Sequence, residues 1–174
     1  MKRLLAIYLP LVLVACGGGA KTPSPTTIPS QGVPTADQLC KLLTVDDWTA
    51  VGLTGAHEPS VSDDGPGTGS AYCVYEGASG ATNGLELDVF VGPTVGDATN
   101  TFATIAQSLP PSSAPNISGI DDGLINTSAD QGFGAILIRA GKLVVTITLP
   151  LSADAVSQLT SLTQTVLSRA LALE

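Results

Sequence analysis

Two runs of Ile, Leu, Val and Thr, residues 135–139 and 142–148, stand on either side of Ala140 and Gly141 and commit this part of the chain to a β-hairpin. β-Branched side chains are stiff at χ1 and pack well on a pleated surface. A short glycine-containing connection turns one strand back antiparallel to the next. Pro150 ends the second strand, because it has no N–H to give to a ladder. Two further segments carry strand signals. Residues 71–75 are short and β-prone, and in 85–91 Leu85, Leu87, Val89 and Val91 alternate with Glu86, Asp88 and Phe90. A period of two with carboxylates on one side describes a strand with one face in the core and one in solvent. The small polar stretch 77–84 makes an antiparallel hairpin the economical connection between them, and 124–126 could add one more short strand.

Helix signals lie between these strands. Thr35, followed three residues later by Gln38, has the capping-box form, and Leu39, Leu42 and Leu43 recur at helical spacing behind it. Thr44 and Asp47 repeat the signal ahead of Trp48 and Val51, and Gly52 supplies a stop, so two short helices or one bent helix are expected, with Trp48 in the core. Residues 57–69, rich in Asp, Pro and Gly, read as a loop. A third helix starts at Gly96 and Asp97, carries Ala98, Phe102, Ile105 and Leu109 on one face, and stops at Pro110 and Pro111. Ser152 caps a last helix bearing Val156, Leu159, Thr163, Val166, Ala170 and Leu173, with Asp154 near its start and Arg169 near its end, as the helix dipole favours. The order α, β, β, α, β, β, α predicts an α+β domain, a mainly antiparallel sheet with helices packed on one face.

The first sixteen residues fall outside that pattern. Lys2 and Arg3 precede an apolar stretch of about a dozen residues, too short for the ~20 a helix needs to cross a bilayer, and it closes on Leu13, Val14, Ala15 and Cys16. This ending resembles the lipobox of bacterial lipoproteins, in which lipid is attached to the cysteine and cleavage leaves that residue first. The resemblance implies a signal peptide over 1–15, lipid such as palmitate on Cys16, and a chain held at the extracytoplasmic face of the cell membrane. Residues 17–34 are almost all Gly, Pro, Ser and Thr, too poor in apolar surface to offset the entropy of ordering them, so 16–34 reads as acylated cysteine plus tether and 35–174 as a single domain. Without Lys2 and Arg3 the net charge is −10. Such a chain has no electrostatic footprint for nucleic acid and is repelled by anionic headgroups, so its membrane contact must come from the lipid.

With Cys16 acylated, Cys40 and Cys73 remain as an even pair in an oxidising compartment. A disulfide from the first helix to the first strand is expected, contributing about 3.5–4 kcal/mol in the chain-entropy model. The competing metal site would need three or four ligands, and the sole imidazole, His57, lies in a loop without a paired-cysteine motif. A lipobox, a Pro/Thr/Ser tether, then Leu39, Cys40, Lys41, Leu42, Leu43 and Thr44 leading to Trp48, Val51 and Gly52, with the second cysteine inside Ala71, Tyr72, Cys73, Val74 and Tyr75, resemble the actinobacterial lipoproteins grouped as domain of unknown function 3558. The likeness covers the leader and about the first third of the domain. It implies the location and the Cys40–Cys73 pair, and it brings no catalytic residues with it.

Candidate chemistry is sparse. A Ser-His-Asp arrangement would have to run through His57 with Glu58, Asp63 or Asp64 and Ser60 or Ser62, all in one loop, and no Gly-x-Ser-x-Gly elbow is present. Asp46 with Asp47, Asp63 with Asp64, and Asp121 with Asp122 are adjacent pairs that lack calcium-loop spacing. Asp121 and Asp122 are the best of them as a weak cation site, and otherwise form a turn with Gly123 left-handed. The glycines at 65, 67 and 69 lack the Lys-Ser/Thr of a phosphate loop, and Asn116 and Asn126 fit the glycosylation pattern only formally. No catalytic residue, cofactor or metal is therefore assigned, and an enzyme is not expected. Two functions remain. One is a non-enzymatic binding module that presents the loops 56–70 and 111–132 to an envelope protein. The other is a carrier of a small apolar or lipidic ligand. A cavity above ~300 Å³ between helices and sheet would favour the carrier, and a filled core the binding module.

Overall fold

In the computed structural model, residues 32–63, 68–75, 85–110 and 112–170 are described, within one compact unit, Gln31–Glu174. The leader, Cys16, the tether up to residue 31, Asp64, Gly65, Gly67, the connection 77–84, Pro111 and Leu173 lie outside the described residues. The elements run α1 (Ala36–Cys40), α2 (Val45–Ala50), β1 (Ser60–Ser62), β2 (Ser70–Tyr75), β3 (Leu85–Val91), α3 (Val95–Ala106), β4 (Asp122–Asn126), β5 (Phe133–Ala140), β6 (Leu143–Pro150) and α4 (Ala155–Ala170), with a 3-10 turn at Ala129–Gln131. The six strands form one sheet in the order β1-β2-β3-β6-β5-β4, every neighbouring pair antiparallel. The fold is α+β, as the order of elements predicts.

Three helices share one face. Leu39, Leu42, Leu43 and Trp48 from α1, α2 and their junction join Leu159, Leu162 and Val166 of α4 over Leu87, Val89, Ile136, Ile138, Val145 and Ile147 of the sheet. The expectation of helices on one face alone is corrected by α3. Its Ala98, Phe102 and Ile105 pack with Leu137 and Val144, which alternate with the main-core residues and so face the other way. The physical reason is the continuous apolar run in β5. A strand without polar alternation is buried on both faces, and the reverse face needs a cover of its own.

Local departures have local causes. β1 lies inside the expected loop. Its Ser-Val-Ser sequence is exposed throughout, so only pairing of Val61 with Cys73 of β2 makes it a strand. α3 begins at Val95 instead of Gly96 because Thr94 is its N-cap: the Thr94 hydroxyl accepts the Asp97 N–H at 3.2 Å and the Asp97 carboxylate accepts the Thr94 N–H at 3.1 Å. The β5–β6 turn is Gly141 and Lys142, one residue later than expected, with Gly141 at φ +58° and Ala140 paired to Leu143. Ser152 does not cap α4 with its side chain. Its carbonyl accepts the Ala155 N–H, and its hydroxyl donates to Gln158, whose amide in turn donates to the Val51 carbonyl at 2.8 Å. The buried stripe of α4 is Ala155, Gln158, Leu159, Leu162, Thr163 and Val166, while Val156, expected inside, is 52% exposed.

The Cys40–Cys73 bridge is formed, with the two Cα atoms 5.7 Å apart. Beside it the Tyr75 hydroxyl points at the carbonyls of Cys40 and Leu43, at 2.7 and 2.8 Å, and the Tyr75 ring lies 5.2 Å from that of Trp48. Burial, reinforced by the charges of Glu58 and Asp47, pushes the Tyr75 phenol far above its usual range.

Candidate binding pocket

The described residues leave the main core open at the end of the sheet where β3 finishes and β5 turns into β6. An apolar groove of about 560 Å³ lies there between α1, the last turns of α4 and the strand ends. Val33 and Pro34 with Leu39 and Leu42 form one wall, and Leu167, Ser168 and Ala170 of α4 another. Val91, Gly92 and Pro93 at the end of β3 meet Ala140, Lys142 and Leu143 at the β5–β6 turn, and Thr68, Ser118 and Gly119 complete the rim. The two loops expected to meet a partner thus each contribute to this groove.

Glycines let the strand ends crowd together at the rim. A Cβ on Gly92 would stand 2.9 Å from the Thr94 carbonyl and 3.0 Å from the Ala98 nitrogen, while the Gly92 N–H donates to the Lys142 carbonyl at 2.8 Å. Gly69 has φ +69°, and a Cβ there would lie 2.7 Å from the Val91 carbonyl, so a side chain is excluded by both conformation and space. The Val91 N–H donates to the Gly69 carbonyl at 2.7 Å, which holds β2 against β3 at the mouth.

Charge is nearly absent from the lining. Among the described residues that line the groove, Lys142 alone is charged, and it is exposed at the turn. Arg169, flanked by two lining residues, points elsewhere: it donates to the Leu42 carbonyl at 3.0 Å and through both terminal nitrogens to the Asp47 carboxylate, one bond being 2.9 Å. Burial alone would raise the Asp47 carboxyl. Hydrogen bonds from Arg169 and from the Thr44 hydroxyl and N–H outweigh it and hold the group below the usual aspartate value.

The residues weighed from the sequence for catalysis lie on and around β1. His57 and Glu58 are exposed ahead of β1, Ser60 and Ser62 sit on β1, and Asp63 follows it, also exposed. No group of three or more His, Cys, Asp or Glu residues able to hold a metal ion is found among the described residues. Asp121 and Asp122, the candidate cation pair, both face Arg139. Its Nη1 lies 2.9 Å from Asp121, its Nη2 2.6 Å from Asp122, and Asp121 also accepts the Gly141 N–H at 2.7 Å. Gly123 is not a left-handed turn residue either. It belongs to β4, where a Cβ would come within 2.8 Å of Ile120 and Pro115. Of the two formal glycosylation sites, Asn116 is exposed and Asn126 is 3% exposed.

The groove itself escaped sequence reading because its residues come from six separate segments and none is unusual in type. Val33 and Pro34 carried the one available signal, an apolar pair at the end of a polar tract that would otherwise be counted as tether.

No protein-family model matches the chain, and neither does any curated protein. One solved structure, that of a GTP binding regulator from Thermotoga maritima, is similar at 12% identity with a TM-score of 0.48, over 78% of this chain and 92% of that one.

Proposed function

We propose that this chain is an extracytoplasmic lipoprotein, anchored in the cell membrane through lipid on Cys16, whose domain acts by binding a small apolar or lipidic ligand in the groove between α1, α4 and the strand ends. The observation that carries this reading is the groove's volume, about 560 Å³, together with its lining of Val, Leu, Pro and Ala. Binding sites for small molecules begin at ~300 Å³ and are lined mainly by apolar side chains with a few polar groups. The lipobox-like end of the leader and the resemblance to the actinobacterial lipoproteins support the location.

The test uses a fluorescent fatty-acid analogue titrated into the soluble domain, with Ser168→Trp as the blocking variant. Ser168 is exposed and lines the groove, so an indole there fills space without entering the core. Saturable binding by the wild-type domain and its loss in a folded Ser168→Trp domain is the expected outcome. Binding unaffected by the tryptophan would remove the groove from the proposal. Turnover of ester, peptide or glycoside substrates that depended on His57 would overturn the non-enzymatic reading.

A further inference from the structure

Resting on that reading, we infer that the ligand is a single-chain acidic amphiphile, a long-chain fatty acid whose tail lies in the groove and whose carboxylate meets the Lys142 ammonium at the rim. Size and charge each restrict the choice. The groove's 560 Å³ is in the lower half of the ~300–1,000 Å³ range of small-molecule sites, which suits one acyl chain and leaves no room for a lipid with several. The walls offer an acyl chain apolar contact on three sides, from Leu39 and Leu42, from Val91 and Leu143, and from Leu167. An acyl tail gains by leaving water in proportion to its buried area.

The head group is selected by what stands at the mouth. The domain carries many more carboxylates than cations, and two of its cations are engaged: Arg139 by Asp121 and Asp122, and Arg169 by Asp47. Lys142 is in no ion pair found among the described residues, and it is the one charged group among the described residues that line the groove. Its place in the tight turn after Gly141 is held from behind, since its own carbonyl accepts the Gly92 N–H and the Gly141 N–H is held by Asp121. The ammonium on its four-carbon stem is a compact donor that can reach over the groove while the backbone stays fixed. A neutral head group gains a hydrogen bond from it without the charge attraction of a carboxylate, and a cationic one is repelled.

Competition of palmitate and of hexadecanol against the same fluorescent probe decides the matter, since the two share a tail and differ in charge. The expected result is a preference of the wild-type domain for palmitate of about fivefold, the size of one exposed charge pair. Lys142→Met should abolish that preference, so that palmitate and hexadecanol compete equally, and Lys142→Glu should reverse it. Equal palmitate preference in wild type and Lys142→Met would overturn the head-group assignment and leave the apolar-ligand reading standing. Failure of both competitors to displace the probe would sink both. Tighter binding of lysophosphatidylglycerol than of palmitate would assign the head group to a phospholipid instead. A concentration-dependent dimer, dissociated by Ser168→Trp, would assign the groove to a second copy of the chain and overturn the inference.

Discussion

At the scale of single residues, the disulfide and the Asp47–Arg169 pair do different work. Cys40 and Cys73 are 33 residues apart, and closing a loop of that length removes about 3.5–4 kcal/mol of unfolded-chain freedom. Cys73→Ser, or reduction of the wild-type domain, should lower the unfolding free energy by that order and move the denaturant midpoint down with it, and a midpoint indifferent to reductant would contradict the account. The Asp47–Arg169 pair ties α4 to α2 and to the α1–α2 junction, and the Asp47 carboxyl is held below the usual aspartate value. The unfolded chain therefore takes up this proton at a higher pH than the folded one. The stability it contributes is complete above about pH 4 and is lost as pH falls through the folded-state value. Tyr75 behaves oppositely. Its raised value means that the folded protein keeps a proton the unfolded one releases, so its contribution is present below pH 10.0 and declines above it. Thermal melts across pH should show both flanks, and Asp47→Asn should flatten the acid flank. The capping and cysteine parts of this network were legible as spacings. The Arg169 link was not, because it joins positions 122 residues apart.

The elements show why periodicity reads some faces correctly and misplaces others. In α4, Val156 and Leu159 satisfy an i, i+3 pattern, but the buried stripe runs through Ala155, Gln158, Leu159 and Leu162 and leaves Val156 outside, and the polar Gln158 is inside because its amide reaches the Val51 carbonyl. The stripe predicts a contrast within one helix. Leu162→Ala should cost about 2–5 kcal/mol, whereas Val156→Ala should stay within about ±0.5 kcal/mol. Equal effects in chemical denaturation would mean that the helix faces the sheet differently. β1 is the converse case. Nothing in an exposed Ser-Val-Ser marks a strand, and only the free edge of β2 selects it.

For the whole molecule, the proposed location and the proposed binding are separable. Cys16→Ala should stop processing at the lipobox-like site and abolish stable acyl anchoring, while the domain keeps its fold and its groove. Fractionation of cells and mass spectrometry of the native N-terminus check this, and an unmodified Cys16 in the native protein would end the lipoprotein reading. What the sequence by itself determined is what depends on neighbours along the chain: the helix caps at Thr35 and Thr44, the strand runs of β3, β5 and β6, the even cysteine pair, and thus an α+β domain with an antiparallel sheet. Those signals are local because capping, pleating and turns are settled within a few residues. The tertiary structure alone decided that α3 covers the reverse face, that Arg139 occupies Asp121 and Asp122, and that the described residues leave a groove at one end of the core. These depend on which distant segments meet. A groove is a failure of six segments to fill the space between them, and no spacing along a chain records unfilled space.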